Sequence, residues 1–257
     1  MGAREFKSHG PGHFMNLYVG TSGFSYKEWK GSFYPKDIPA AQMLRFYSEH
    51  FRSVEINNTF YGIPKASAVA AWAREVPGSF QFAIKAPQRI THRRELTGAP
   101  ETMSQLMEAV GPLQQRLGPL QQRLGPLLFQ LPPYMKKDAI RLRELLGLLR
   151  PRQRGAFEFR HPSWFDEEIF EVLRDHQSPL CIADDDNDMN VPFVSTADWG
   201  YLRLRRLDYN DTALKEWVTR IRRQKWKDAF IFFKHEDTGK GPQFAAKFIE
   251  FAAASEI

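Results

Sequence analysis

Cysteine is all but absent from this 257-residue chain, with Cys181 the single one. The chain can therefore form neither an intramolecular disulfide nor a cysteine-based zinc site. Cys181 sits in the strand-like run "PLCIADD", which predicts an inert core thiol rather than a nucleophile. No apolar run approaches the ~20 residues needed to span a bilayer, so no membrane partner is expected. The opening "MGAREFKSHGPGHFM" lacks the apolar centre of a secretory signal. It reads as a loosely ordered extension over residues 1–15, and the cytoplasm is the expected compartment. Strong charge imbalance is lacking too, since 36 basic and 30 acidic residues leave only +6. That excess suits anionic ligands without requiring nucleic acid.

What the chain does contain is a rhythm. Eight apolar runs of strand length recur: "NLYVGTS", "SVEINN", "FQFAIKAP", "PLLFQLP", "GAFEFRH", "LCIADD", "GYLRLR" and "AFIFFKH". Amphipathic stretches such as "AAQMLRFYSEHF", "DEEIFEVLRDH" and "TALKEWVTRIRRQ" separate most of them. Eight strands alternating with helices over about 250 residues predict an α/β fold of the TIM-type (β/α)8 barrel class, as one domain over residues 16–257. The alternative, a doubly wound open sheet, lacks its GxGxxG turn after the first strand. One interruption stands out: "GPLQQRL" occurs at 111–117 and again at 118–124. Two copies make no solenoid. Pro112 and Pro119 should break the helix they fall in, so the repeat reads as a duplication that lengthens one crossover.

Neighbouring strand residues point to opposite faces, and in a barrel one face meets helices while the other looks inward. With Val54, Ile56, Phe82, Ile84, Leu127, Phe129, Phe157 and Phe159 facing the helices, the inward set becomes polar. It holds Glu55 and Asn57, Gln81 and Lys85, Gln130, Glu158 and Arg160, Asp185, and Tyr201, Arg203 and Arg205. In the last strand Lys234 and His235 are both candidates. Buried charges must pair with one another, with water or with a ligand. Simple internal pairs, Glu55 with Lys85 and Glu158 with Arg160, are one outcome. Four inward bases against three inward acids favour an anionic ligand instead. The first turn, "VGTSGFSYKEWKGSFYP", offers Ser22 and close backbone donors, with Trp29 and Tyr34 as walls. The second, "INNTFYGIP", offers Asn57 and Tyr61.

"VGTSGFSYKEWKGSFYP", "VEINNTFYGIP", "FQFAIKAP", "LLFQLPP", "EFRHPSWF" and "FFKHED" stand in this order from about residue 17 to 250. In that order they resemble the YecE-like family, domain of unknown function 72. The resemblance implies a TIM-barrel-like fold and leaves the reaction open. The second "GPLQQRL" departs from the family pattern.

The residues themselves point to an enzyme, a hydrolase or lyase acting on a phosphorylated or otherwise anionic small molecule. Glu158 or Glu55 would be the acid or base, and His161 a proton carrier. Arg160, Arg203, Arg205 and Lys85 would hold the anion, with Asn57, Gln130, Asp185, Tyr61, Ser22 and Lys234 lining its site. Lys85 has a second role open to it as an imine-forming amine. Glu158→Gln is expected to abolish activity and leave the fold intact. No cofactor is expected, with a divalent metal left open: "IADDDND" (182–188) carries hard-cation groups without the spacing of a calcium loop. The alternatives are a metal-dependent phosphodiesterase, or a protein binding nucleic acid through Arg89, Arg93, Arg94, Arg206, Trp164 and Trp199.

Overall fold

The computed structural model describes residues 15–93, 96, 98–114, 123–187, 189–235 and 239–255. Residues 1–14 of the expected N-terminal extension, most of the second "GPLQQRL" copy, Arg94, Asp188, and Glu236 and Asp237 of "FFKHED" lie outside the described residues. In chain order the elements are β1 (Asn16–Thr21), α1 (Met43–His50), β2 (Ser53–Ile56), α2 (Ala66–Glu75), β3 (Gln81–Lys85), α3 (Gln88–Thr91), α4 (Ala99–Ala109), β4 (Leu124–Gln130), α5 (Ala139–Gly147), β5 (Gly155–Glu158), α6 (Glu167–Asp175), β6 (Cys181–Asp184), β7 (Trp199–Leu204), α7 (Asp211–Arg222), β8 (Asp228–Phe233) and α8 (Lys240–Ala254). All eight expected strands form. Among the described residues β6 and β7 are joined without a helix, and the short α3 was not anticipated.

Local chemistry sets several boundaries. Asp138, Asp166 and Asn210 cap α5, α6 and α7 by accepting from backbone N–H groups. α4 stops at Ala109, and Pro112 falls in a single 3-10 turn, Gly111–Leu113, where its missing donor does no harm. No described helix is long and apolar enough to cross a membrane.

Every strand pair is parallel. One run orders β2-β3-β4-β5 and the other β1-β8-β7-β6. Two bridges, Ser22 with Glu55 and Phe157 with Leu180, join the runs at both seams and close the TIM-type barrel. The β1–β2 seam is tight. A Cβ at Gly20 would sit 1.9 Å from the Ser53 carbonyl oxygen, so only glycine lets these strands approach.

Two apolar clusters lie on opposite faces of this single sheet. Val54, Ile56, Phe82, Ile84, Leu127, Phe129, Phe157 and Phe159 join the helices in the outer cluster. Ala83, Leu128, Ala156, Cys181, Trp199, Tyr201, Phe230 and Phe232 fill the barrel itself. The strand phase read from the sequence is therefore the phase observed. Because Phe230 and Phe232 point inward, alternation gives Lys234 the inward phase. His235 turns out instead, its ring against Tyr209 and Phe244 and its Nε2 at the Arg206 carbonyl.

Candidate active site

Above the apolar plug of the barrel lies a buried ionic frame centred on Arg203, which is 2% exposed. Its Nε and one terminal nitrogen donate to Glu55 Oε1 at 3.2 and 2.9 Å, and the other terminal nitrogen donates to Glu158 Oε2 at 2.7 Å. Ser22 Oγ and the Tyr201 hydroxyl complete Glu55 at 2.7 and 2.6 Å. Glu158 Oε1 accepts from Arg160 at 3.1 Å and from Arg205 at 3.3 Å, and Arg205 also holds Asp185 at 2.7 Å. The frame thus ties β2, β5 and β7 to the ends of β1 and β6. Charged hydrogen bonds with fixed fork geometry suit arginine for this task.

Several sequence expectations are corrected by this geometry. Glu55 pairs with Arg203 and not with Lys85, because Lys85 lies one residue layer nearer the opening: the parallel β2–β3 register sets Glu55 beside Ala83. Ser22 is turned to Glu55 and buried, so it supports the frame and does not line the opening. The backbone donors of the first turn are also engaged. Thr21 N–H donates to the Tyr47 hydroxyl, Ser22 N–H to the Phe233 carbonyl and Gly23 N–H to the Glu55 carbonyl. Trp29 and Tyr34, expected as walls, are buried in an aromatic cluster.

Burial by itself would raise the pKa of both glutamates. For Glu55, Arg203, Tyr201 and Ser22 outweigh it and hold the carboxyl below its usual value. For Glu158, Arg203, Arg205 and Arg160 hold it well below the carboxylate range. A carboxylate so stabilised is a poor base and is never an acid near neutrality, which argues against the proton-transfer role expected of Glu158 and Glu55.

Lys85 behaves differently. Its pKa is pushed down to about 8, first by burial and then by Arg203, against the pull of Glu158 and Glu55. Its Nζ stands 4.0 Å from the centre of the Phe60 ring. No ion pair joins Lys85 to a carboxylate of the described residues. His92 meets the same Phe60 ring edge-on at 4.9 Å, and burial, Lys85 and Arg160 lower its pKa. His92 is not among the residues the sequence singles out. The signal available is its place at the end of α3, in the connection that follows β3, where active-site loops of barrels lie.

The remaining candidates divide. Among the described residues Gln130 is buried with its Nε2 unpaired, and the atoms Asn57 Oδ1 and Arg205 Nε are likewise buried without partners. His161 caps the Pro162–Trp164 turn, its Nδ1 within 2.8 Å of Ser163 Oγ and accepting from Ser163 N–H, so that nitrogen is already occupied. Tyr61 is 80% exposed, and Lys234 lies at the exposed rim. The acidic run is absorbed by the loop after β7: Asp184 pairs with Arg206, Asp185 with Arg205, and Asp186 accepts from Leu207 N–H. Among the described residues no three His, Cys, Asp or Glu side chains gather to hold a metal ion. The aromatics expected to track a nucleic acid are interior. Trp164 stacks on Phe159 at 4.6 Å, and Trp199, the first residue of β7, lies in the barrel plug.

The closed parallel sheet and the charged side chains at its carboxyl end define a TIM-type barrel protein of the α/β class. The family described as "Protein of unknown function DUF72" matches residues 18–256, and the chain belongs to that family. It is 25% identical to the UPF0759 protein YunF of Bacillus subtilis (strain 168), over 91% of this chain and 94% of that one. The crystal structure of a DUF72 family protein from Thermotoga maritima, 26% identical, superposes with a TM-score of 0.77 over 93% of this chain and 99% of the other. A DUF72 family protein from Enterococcus faecalis, 20% identical, reaches 0.74 over 93% and 98%, and bears on the fold alone.

Proposed function

We propose that the barrel mouth binds a phosphorylated or carboxylated small molecule and acts on it as a lyase or hydrolase. One observation carries this reading. The interior carboxylates Glu55, Glu158 and Asp185 are all neutralised by guanidinium groups, yet cationic and donor capacity is left over. Among the described residues Lys85 has no carboxylate partner, Arg160 pairs with Glu158 alone, and Gln130 Nε2 and Arg205 Nε are buried donors without acceptors. An anion supplies the missing acceptors, and buried donors are costly without them. In this reading Glu55 and Glu158 hold the cations in place, and Lys85 is the group that changes protonation near neutrality.

Thermal unfolding with inorganic phosphate and with sugar phosphates tests the reading. A ligand at one hundred times its Kd should add about 2.7 kcal/mol of stability. Arg160→Met should weaken binding by roughly tenfold, the order of a charge-assisted hydrogen bond. Stabilisation that collapses steeply as neutral salt rises would point to a polyanion surface instead. No stabilisation by any of these anions defeats the proposal.

A further inference from the structure

Lys85 carries more chemistry than anion binding requires. It is the last residue of β3, on the inward phase, at the barrel end where side chains from several strands converge. Its backbone is fixed on both sides. The Lys85 carbonyl accepts from Thr59 Oγ1 at 2.7 Å, and the next amide, Ala86 N–H, donates to Leu128. Its amine rests on an aromatic face, although two carboxylates are close enough to influence it electrostatically. Those carboxylates are taken by arginines, so among the described residues no strong acceptor holds a proton on Nζ. A desolvated lysine beside other cations is the arrangement that makes an amine nucleophilic.

We infer that Lys85 captures the carbonyl carbon of an anionic carbonyl compound, a phosphorylated sugar or a 2-oxo acid, as an imine at the barrel mouth. The inference rests on the anion-site reading above. The Nζ lone pair attacks the carbonyl carbon, and the C–O π pair moves to oxygen to give a carbinolamine. Both amine hydrogens and that oxygen then leave as water while the C=N bond forms. The carbinolamine needs a donor for its oxygen and an acceptor for its N–H. Among the described residues Gln130 Nε2 and Arg205 Nε are buried donors, and Asn57 Oδ1 a buried acceptor, that have no partner. Extending the β2–β3 register by one residue sets Asn57 beside Lys85. His92, against the same Phe60 ring, is placed to relay protons. The imine then serves as an electron sink for breaking an adjacent C–C or C–O bond.

The test is reductive trapping on the full chain with cyanoborohydride, using glyoxylate, glycolaldehyde phosphate and uncharged glycolaldehyde as probes. Labelled lysines are located by peptide mass mapping. The expected result is that Lys85 is labelled at least about tenfold faster than surface lysines, as a nucleophile of lowered pKa would be. One or both anionic probes give this labelling, and their relative rates distinguish phosphate from carboxylate. Inorganic phosphate slows it, and Lys85→Arg removes it. The rate advantage is greater at pH 7 than at pH 10, where ordinary lysines also lose their protons. The groups facing Lys85 that shape this profile are Arg203, Arg160, Glu158, Glu55 and His92. Labelling of Lys85 no faster than surface lysines overturns the inference. If phosphate still stabilises the protein in that case, anion binding stands and only the covalent step falls; if it does not, both fall.

Discussion

Glu158 shows how a single residue changes meaning once its neighbours are known. In the sequence it is an inward carboxylate and a natural candidate base. In the fold its two oxygens answer three guanidinium groups, and it is completely buried. Glu158→Gln therefore does not leave the fold untouched as the sequence suggests. It strands Arg203 beside a neutral amide and leaves Arg160 and Arg205 repelling each other. Breaking a buried ion pair from one side costs about 3–5 kcal/mol, so the variant should unfold at markedly lower denaturant concentration. A midpoint within about 0.5 kcal/mol of the parent, as for a surface change, would show that the frame does not bear on stability.

At the scale of elements, the duplicated "GPLQQRL" poses a question that the described flanks answer. Arg123 N–H donates to the Leu113 carbonyl at 2.9 Å, so the two ends of the intervening segment already meet. Arg116 and Arg123 hold the same place in the two copies. Excising one seven-residue copy leaves that arginine three residues after Leu113, the span of a β-turn hydrogen bond. α4 and β4 can then join without moving either. The excised protein should keep its fold and anion response, with stability raised by up to about 1 kcal/mol through the shorter loop. Calorimetry and circular dichroism check this; loss of cooperative unfolding would mean the added copy supports the barrel.

For the whole molecule, the same frame links strands far apart in sequence, so acid should act on the barrel globally. The Glu55 and Glu158 pKa values are lowered on folding. Their stabilising contribution is fully present above the unfolded glutamate value of about 4.3 and drains away as pH falls below it. Denaturant midpoints measured from pH 7 to pH 2.5 should fall steeply below about pH 4.3. In Glu158→Gln the slope should be shallower, because one contributing group is gone. An equal slope in both would remove Glu158 from the linkage.

The sequence by itself determined the eight strands, the α/β barrel class, the inward phase of β2 to β7 and the membership of Lys85, Arg203 and Glu158 in one interior, while the phase of β8 stayed open between Lys234 and His235. These follow from alternation with a period of two and from strand–helix rhythm, which are local properties of the chain. The tertiary structure alone decided who pairs with whom. Register and barrel closure set Glu55 beside Arg203 and left Lys85 on an aromatic ring, while Trp164 and Trp199 went to the interior. Partner choice depends on distances between strands far apart in the chain: Glu55 and Arg203, which pair, are separated by 148 residues. The pKa of each group then follows from those distances and from burial, neither of which is written in any local stretch of sequence.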